Sequence, residues 1–131
     1  MTKTIRYRQR FQNYRRAYTF LQKVVGIRSR SEIERAALIR AFEVAFELSW
    51  KLLKDYLESE GYKAQSPREV IKQAFQIALI GSGDVWLKAL DDRNRTTHIY
   101  DEVESKRIES AIQNDYFPLL RNLHDTFSSL C

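Results

Sequence analysis

Cysteine, proline, glycine and histidine are all scarce in this chain, and each scarcity removes a class of protein. The single cysteine, Cys131, is the last residue and can form no internal disulfide. The chain is therefore no disulfide-stapled secreted domain, and a cytoplasmic protein is expected. No apolar run approaches the ~20 residues needed to span a bilayer, so no membrane helix is expected. The opening stretch MTKTIRYRQR is basic but has no apolar segment behind it, unlike a secretory leader. Two prolines and four glycines in 131 residues leave long helices with short joints. With only His98 and His124 available, no carboxylate–histidine spacing suggests a metal site, and no other cofactor is expected.

Acid is missing from one end. Residues 1–31 hold nine Lys or Arg and no Asp or Glu, within a chain of net charge +5. Aromatic residues interleave with these cations, a mixture that suits a phosphate backbone with stacking platforms. Periodicity assigns the aromatics elsewhere. Tyr7, Phe11, Tyr14, Tyr18, Leu21 and Val25 alternate spacings of four and three, one seam along a helix from about Thr4 to Val25. They are core or interface. Arg8, Arg15 and Arg16 then occupy the other face and form a candidate basic wall for RNA.

An apolar content of 44% and a charged content of 30% are those of a soluble globular domain, here a single one over 1–131. Gly26 ends the first helix, and Ser31 with Glu34 forms a reciprocal cap for the second, about Glu32 to Glu60. Leu38, Phe42, Ala45, Phe46, Ser49, Trp50, Leu52, Leu53, Tyr56 and Leu57 cover one broad side of that helix. Ala41, Val44 and Leu48 widen it further. A helix apolar nearly all round is buried nearly all round. One domain of this size cannot easily bury so much, which implies a homodimer using part of this face. Glu43 and Glu47 lie at the apolar edge, where they either pair with arginines or face a site.

Ser66-Pro67-Arg68-Glu69 starts a third helix whose inner side carries Val70, Ile71, Ala74, Phe75, Ala78 and Leu79, ending at Gly81. Gly81-Ser82-Gly83 reads as a turn with Asp84 capping a fourth helix. Trp86, Leu90, Arg93 and Thr97 share one face of it. Asp101 and Glu104 cap a last helix with a seam from Ile108 to Leu130, kinked by Pro118. His124 lies beside that seam as a packing or surface residue.

From the end of the fourth helix to the start of the last runs DDRNRTTHIYDE, residues 91–102, the densest collection of chemistry in the chain. Read as Arg93-x4-His98-x-Tyr100, it offers what RNA cleavage without a metal requires. An arginine grips phosphate, an imidazole moves a proton near neutral pH, and a second imidazole comes from a symmetry mate. A solvated helix end with His98 capping carbonyls is the competing reading. On one straight helix Arg93 and His98 would point about 140° apart. Either the helix loosens near Thr96–Thr97 or the two side chains reach around it.

Four segments, RYRQRFQNY, FEVAFELSWKLLKDYLESEG, SPREVIKQAF and VWLKALDDRNRTTHIYDE, together resemble the HEPN-domain family. More narrowly, they resemble its nucleotidyltransferase substrate-binding branch, which includes the HepT-type toxins. The resemblance implies an all-α, up-and-down four-helix bundle with an additional short helix, dimerising through long helices. It also implies a small nucleotidyltransferase partner and metal-independent cleavage of RNA by paired R-x4-H motifs. Arg93, His98 and Asn94 would be catalytic, and Tyr100 the tyrosine to which the partner transfers AMP. The alternative within the family is a non-catalytic subunit that presents a substrate to the nucleotidyltransferase.

Overall fold

A computed structural model describes residues 2–99 and 101–131. Among them the chain is helical without strands: α1 Lys3–Val25, α2 Glu32–Ser59, α3 Pro67–Gln76, α4 Gly83–Arg95, α5 Glu102–Ala111 and α6 Phe117–Leu130. A 3-10 turn, Thr96–His98, follows α4, and a π-helical turn, Ile112–Tyr116, joins α5 to α6.

α2 is the hub, packing against α1, α3, α4, α5 and α6. Its capping box forms as the sequence predicts: Glu34 N–H donates to the Ser31 hydroxyl at 3.1 Å, and Ser31 N–H to the Glu34 carboxylate at 2.9 Å. α1 runs antiparallel to α2, tied by Arg10 to Asp55 at 2.8 Å and by Tyr7 against Tyr56. α6 returns antiparallel to α1, with Phe127 beside Phe11 and Phe117 stacked on Tyr18. The buried Tyr14 hydroxyl donates to the Leu120 carbonyl at 2.6 Å. α4 completes the bundle, its Trp86 against Phe46 of α2. The result is an up-and-down four-helix bundle of α1, α2, α4 and α5–α6, with α3 as the short extra helix.

Most of the predicted seams are core, but Leu130 is exposed and Val25, Trp50 and Tyr56 are only partly buried. Phe11, Tyr14, Leu21, Phe42, Leu52, Leu53, Leu57, Trp86 and Phe127 are all essentially inaccessible. Each such side chain contributes about 1.5–3 kcal/mol by leaving water. The last helix deforms one turn before Pro118. Proline lacks an N–H and its ring clashes with the carbonyl four residues back, and the wider π-helical turn at Ile112–Tyr116 accommodates both.

Three local expectations change. α3 stops at Gln76, because the chain turns through Ala78 at φ 61°. Phe75 is consequently half exposed and lies over Gly83, where a Cβ would meet its ring at 2.9 Å. α4 is preceded by Ser82 at φ 51°, and Asp84 sits inside its first turn rather than at its cap. At the end of α1, Gly26 is right-handed at φ −70° and the turn falls on Ser29 at φ 53°. Arg30 closes that end instead, donating to the Val24 and Val25 carbonyls and to Glu109 of α5.

Candidate functional site

Arg93 lies near the end of α4 and turns toward α2. Its guanidinium pairs with Glu47, and its Nη1 donates to Asn94 Oδ1 at 3.0 Å. Glu47 also accepts from Trp50 Nε1 at 3.1 Å and from Lys51 Nζ at 3.3 Å. The sequence left this glutamate between pairing with an arginine and facing the polar patch; it does both. An open groove of ≈ 440 Å³ runs along the pair, lined by Arg40, Glu43, Glu47, Arg93, Asn94 and Thr97 over Val44 and Leu48. Arg40 is exposed and forms no ion pair among the described residues.

The helix tightens after Arg95 rather than loosening. The Thr96 N–H and its hydroxyl both donate to the Arg93 carbonyl, the hydroxyl at 2.7 Å, and the last turn becomes 3-10. Threonine competes for backbone bonds in this way, and two β-branched residues in succession weaken the α form. His98 ends the 3-10 turn, exposed. Two α steps of ~100° and three 3-10 steps of ~120° leave Arg93 and His98 on the order of 160° apart around the axis. The chain thus brings Arg93 and Asn94 into one groove, whereas His98 lies outside the groove lining, turned to the other side of the helix end. Tyr100 lies outside the described residues. Its neighbours Ile99 and Asp101 line a second hollow of ≈ 380 Å³ with Glu32, Arg35 and Glu102.

The three arginines of the predicted basic wall are all exposed but divide between two sides of α1. Arg16 hydrogen-bonds Asn13 and lines an apolar groove of ≈ 510 Å³ with Phe20, Arg40, Val44 and Leu48, continuous with the Arg93 groove. Arg15 lies over the Phe11 ring at 5.0 Å. Arg8 and Arg15 stand near Cys131, whose thiol burial pushes up while these two arginines pull it down. His124 is a packing residue, stacked on Tyr18 with ring centres 4.6 Å apart.

Asp92, next to Arg93, is buried, and sequence reasoning passed over it. The Tyr116 hydroxyl and Arg107 Nη2, the latter at 2.9 Å, both donate to it. Burial and this hydrogen bond raise the Tyr116 phenol well above its usual range. The signal was available in the doublet Asp91-Asp92. Adjacent helix positions diverge by ~100°, so when Asp91 faces solvent its neighbour turns inward.

A family model for proteins described as "Nucleotidyltransferase substrate binding protein like" matches residues 9–129. The chain belongs to that family. Known proteins are similar to it in sequence and in shape. A Haemophilus influenzae protein named "Probable ribonuclease HepT" is 29% identical over 84 residues, covering 60% of this chain and 58% of that protein. This chain thus matches a little over half the length of that curated relative. A crystal structure of a Thermus thermophilus protein superposes with a TM-score of 0.78 and 33% identity, covering 84% of this chain and 94% of that one. The nucleotidyltransferase substrate-binding branch of the HEPN family, expected from the four segments, is the one found. Among the described residues no helix is long and apolar enough to cross a membrane.

Proposed function

We propose that this chain is a HEPN-type, metal-independent endoribonuclease, the toxin of a pair whose other member is a small nucleotidyltransferase that silences it. The observation that carries this reading is Arg93. A guanidinium held by Glu47 and Asn94 in an open groove keeps donors free for a phosphate, and an exposed imidazole, His98, stands on the other side of the same helix end. The relative named as a ribonuclease supports the same reaction class.

The chemistry follows from these groups. His98 takes the proton of a ribose 2′-hydroxyl, and the oxygen attacks the adjacent phosphorus. Arg93 stabilises the negative charge building on the phosphoryl oxygens, with Asn94 beside it. The bond to the 5′-oxygen breaks, and the leaving oxygen takes a proton from the His98 of a second copy. Because Arg93 and His98 diverge around the helix, a homodimer that juxtaposes two such helix ends supplies the missing group. Arg8, Arg15 and Arg16 draw the RNA in by its backbone. The partner transfers AMP from ATP to the Tyr100 oxygen, which loses its proton as pyrophosphate leaves, and the added phosphate's negative charge beside the motif competes for Arg93 and repels the RNA backbone.

The family's description favours a second reading, a non-catalytic subunit that positions a substrate for the nucleotidyltransferase. The products separate the two. Cleaved RNA should carry a 2′,3′-cyclic phosphate and a 5′-hydroxyl. Intact RNA, together with partner activity that depends on this chain, would leave the substrate-binding reading standing. Incubation with the partner and ATP, followed by intact mass and peptide mapping, tests the switch. AMP on Tyr100 with loss of cleavage is expected; silencing without a mass change contradicts it.

A further inference from the structure

We infer that Glu47 is a positioning residue for the reaction, setting the direction in which Arg93 presents its guanidinium to phosphate. The inference rests on the ribonuclease reading and extends it to a residue outside the 91–102 stretch.

A carboxylate in a phosphate-binding groove is electrostatically adverse, since it repels the anion the groove would hold. Here the carboxylate is enclosed by donors from two elements. Trp50 and Lys51 approach it from its own helix at 3.1 and 3.3 Å, and Arg93 from α4. The indole N–H and the ammonium fix the carboxylate, and the fixed carboxylate then fixes the arginine. Asn94 accepts from the same guanidinium at 3.0 Å, through a different nitrogen. Arginine has five N–H donors in a rigid planar fork, so holding it at two nitrogens leaves the remaining donors aimed in one direction. Glu47 is about one-third exposed, and an ion pair this open adds little to stability. Orientation is where its contribution lies. Phosphate recognition by arginine depends on the plane of the fork, and misplacing such a group by ~1 Å can cost about 10²-fold in rate.

The test compares the parent protein with Glu47→Gln, Glu47→Ala and Arg93→Ala on one short RNA, with thermal melts as a folding control. Glu47→Ala should lower kcat by about 10- to 100-fold with KM nearly unchanged, because the backbone contacts that capture RNA remain. Glu47→Gln, which keeps an acceptor, should retain more activity, and added acetate should partly restore Glu47→Ala. An orientation readout independent of cleavage comes from the guanidinium NMR resonances of Arg93. They should show hindered rotation in the parent and averaging in Glu47→Ala. Unchanged kcat and unchanged Arg93 resonances in Glu47→Ala, with Arg93→Ala inactive, overturn the positioning role and leave the ribonuclease reading intact. Full cleavage by Arg93→Ala removes that reading instead.

Discussion

The Tyr116 hydroxyl donates to the buried carboxylate of Asp92, one residue before Arg93. This bond joins the end of α4 to the π-helical turn of the last helix, and Arg107 braces the same carboxylate from α5. The motif arginine therefore sits on a helix end fixed from behind by Asp92 and from in front by Glu47. Removing the phenol oxygen takes one donor from a buried charge. Tyr116→Phe should destabilise the fold by about 1–3 kcal/mol, a drop of several degrees in Tm, read by thermal melts. Parent-like stability in that variant would mean that Arg107 alone satisfies Asp92.

Ala78 holds a left-handed conformation, φ 61°, in the turn after α3. Residues with a Cβ pay about 1–2 kcal/mol there, whereas glycine does not. Ala78→Gly should therefore stabilise the protein, by about 0.5–1 kcal/mol once glycine's extra freedom in the unfolded chain is counted. A chemical denaturation midpoint that moves down instead of up contradicts the assigned turn.

Stability should fall at both ends of the pH range. Glu58 is held low by its hydrogen bond from Lys54, and Glu104 by its hydrogen bonds from Arg107. A carboxyl lowered on folding binds fewer protons folded than unfolded, so its contribution is present above the ordinary carboxylate range and is lost on acidification through it. Tyr14 and Tyr116, raised chiefly by burial, act in the opposite direction. The folded state keeps their protons longer than the unfolded chain does, so stability drops as pH climbs past the usual phenol range near 10. Denaturation midpoints from about pH 3 to 11 should trace a dome. Ionisation of all seven tyrosines before unfolding would contradict the burial of these two.

The arginines of α1 make a separable prediction. Neutralising Arg8, Arg15 and Arg16 together should flatten the log–log dependence of RNA affinity on salt, by up to about 0.7–0.9 of a unit for each phosphate no longer neutralised. Arg16 shares the groove that leads to Arg93, and Arg8 and Arg15 lie on the far side. The single variant Arg16→Gln should therefore account for much of the change. An unchanged slope in the triple variant would show that RNA does not run along α1.

The fold was legible because its helices announce themselves. Seams of aromatic and aliphatic residues at spacings of three and four, with caps at Ser31 and Ser66, marked out the elements and most of the core. Turns were harder. The chain puts positive φ on Ser29, Ala78 and Ser82, residues that carry no local sign of it, while Gly26 stays right-handed. The shape of the helix end at Thr96–Thr97 was also out of reach. Whether a weakened helix loosens or tightens depends on where the freed backbone groups find partners, and here the Arg93 carbonyl took two donors. Tertiary pairing explains the rest. Glu47 and Arg93 lie far apart in the chain, and only the packing of α4 on α2 makes them neighbours.

The central claim is tested most directly by kcat for RNA cleavage in EDTA, measured side by side for the parent, Arg93→Ala and His98→Ala. The parent should cleave without added metal, and both variants should lose activity by at least ~10²-fold while keeping the parent's melting temperature and size in solution. Cleavage by both variants at the parent's rate would contradict the assignment of the chemistry to Arg93 and His98.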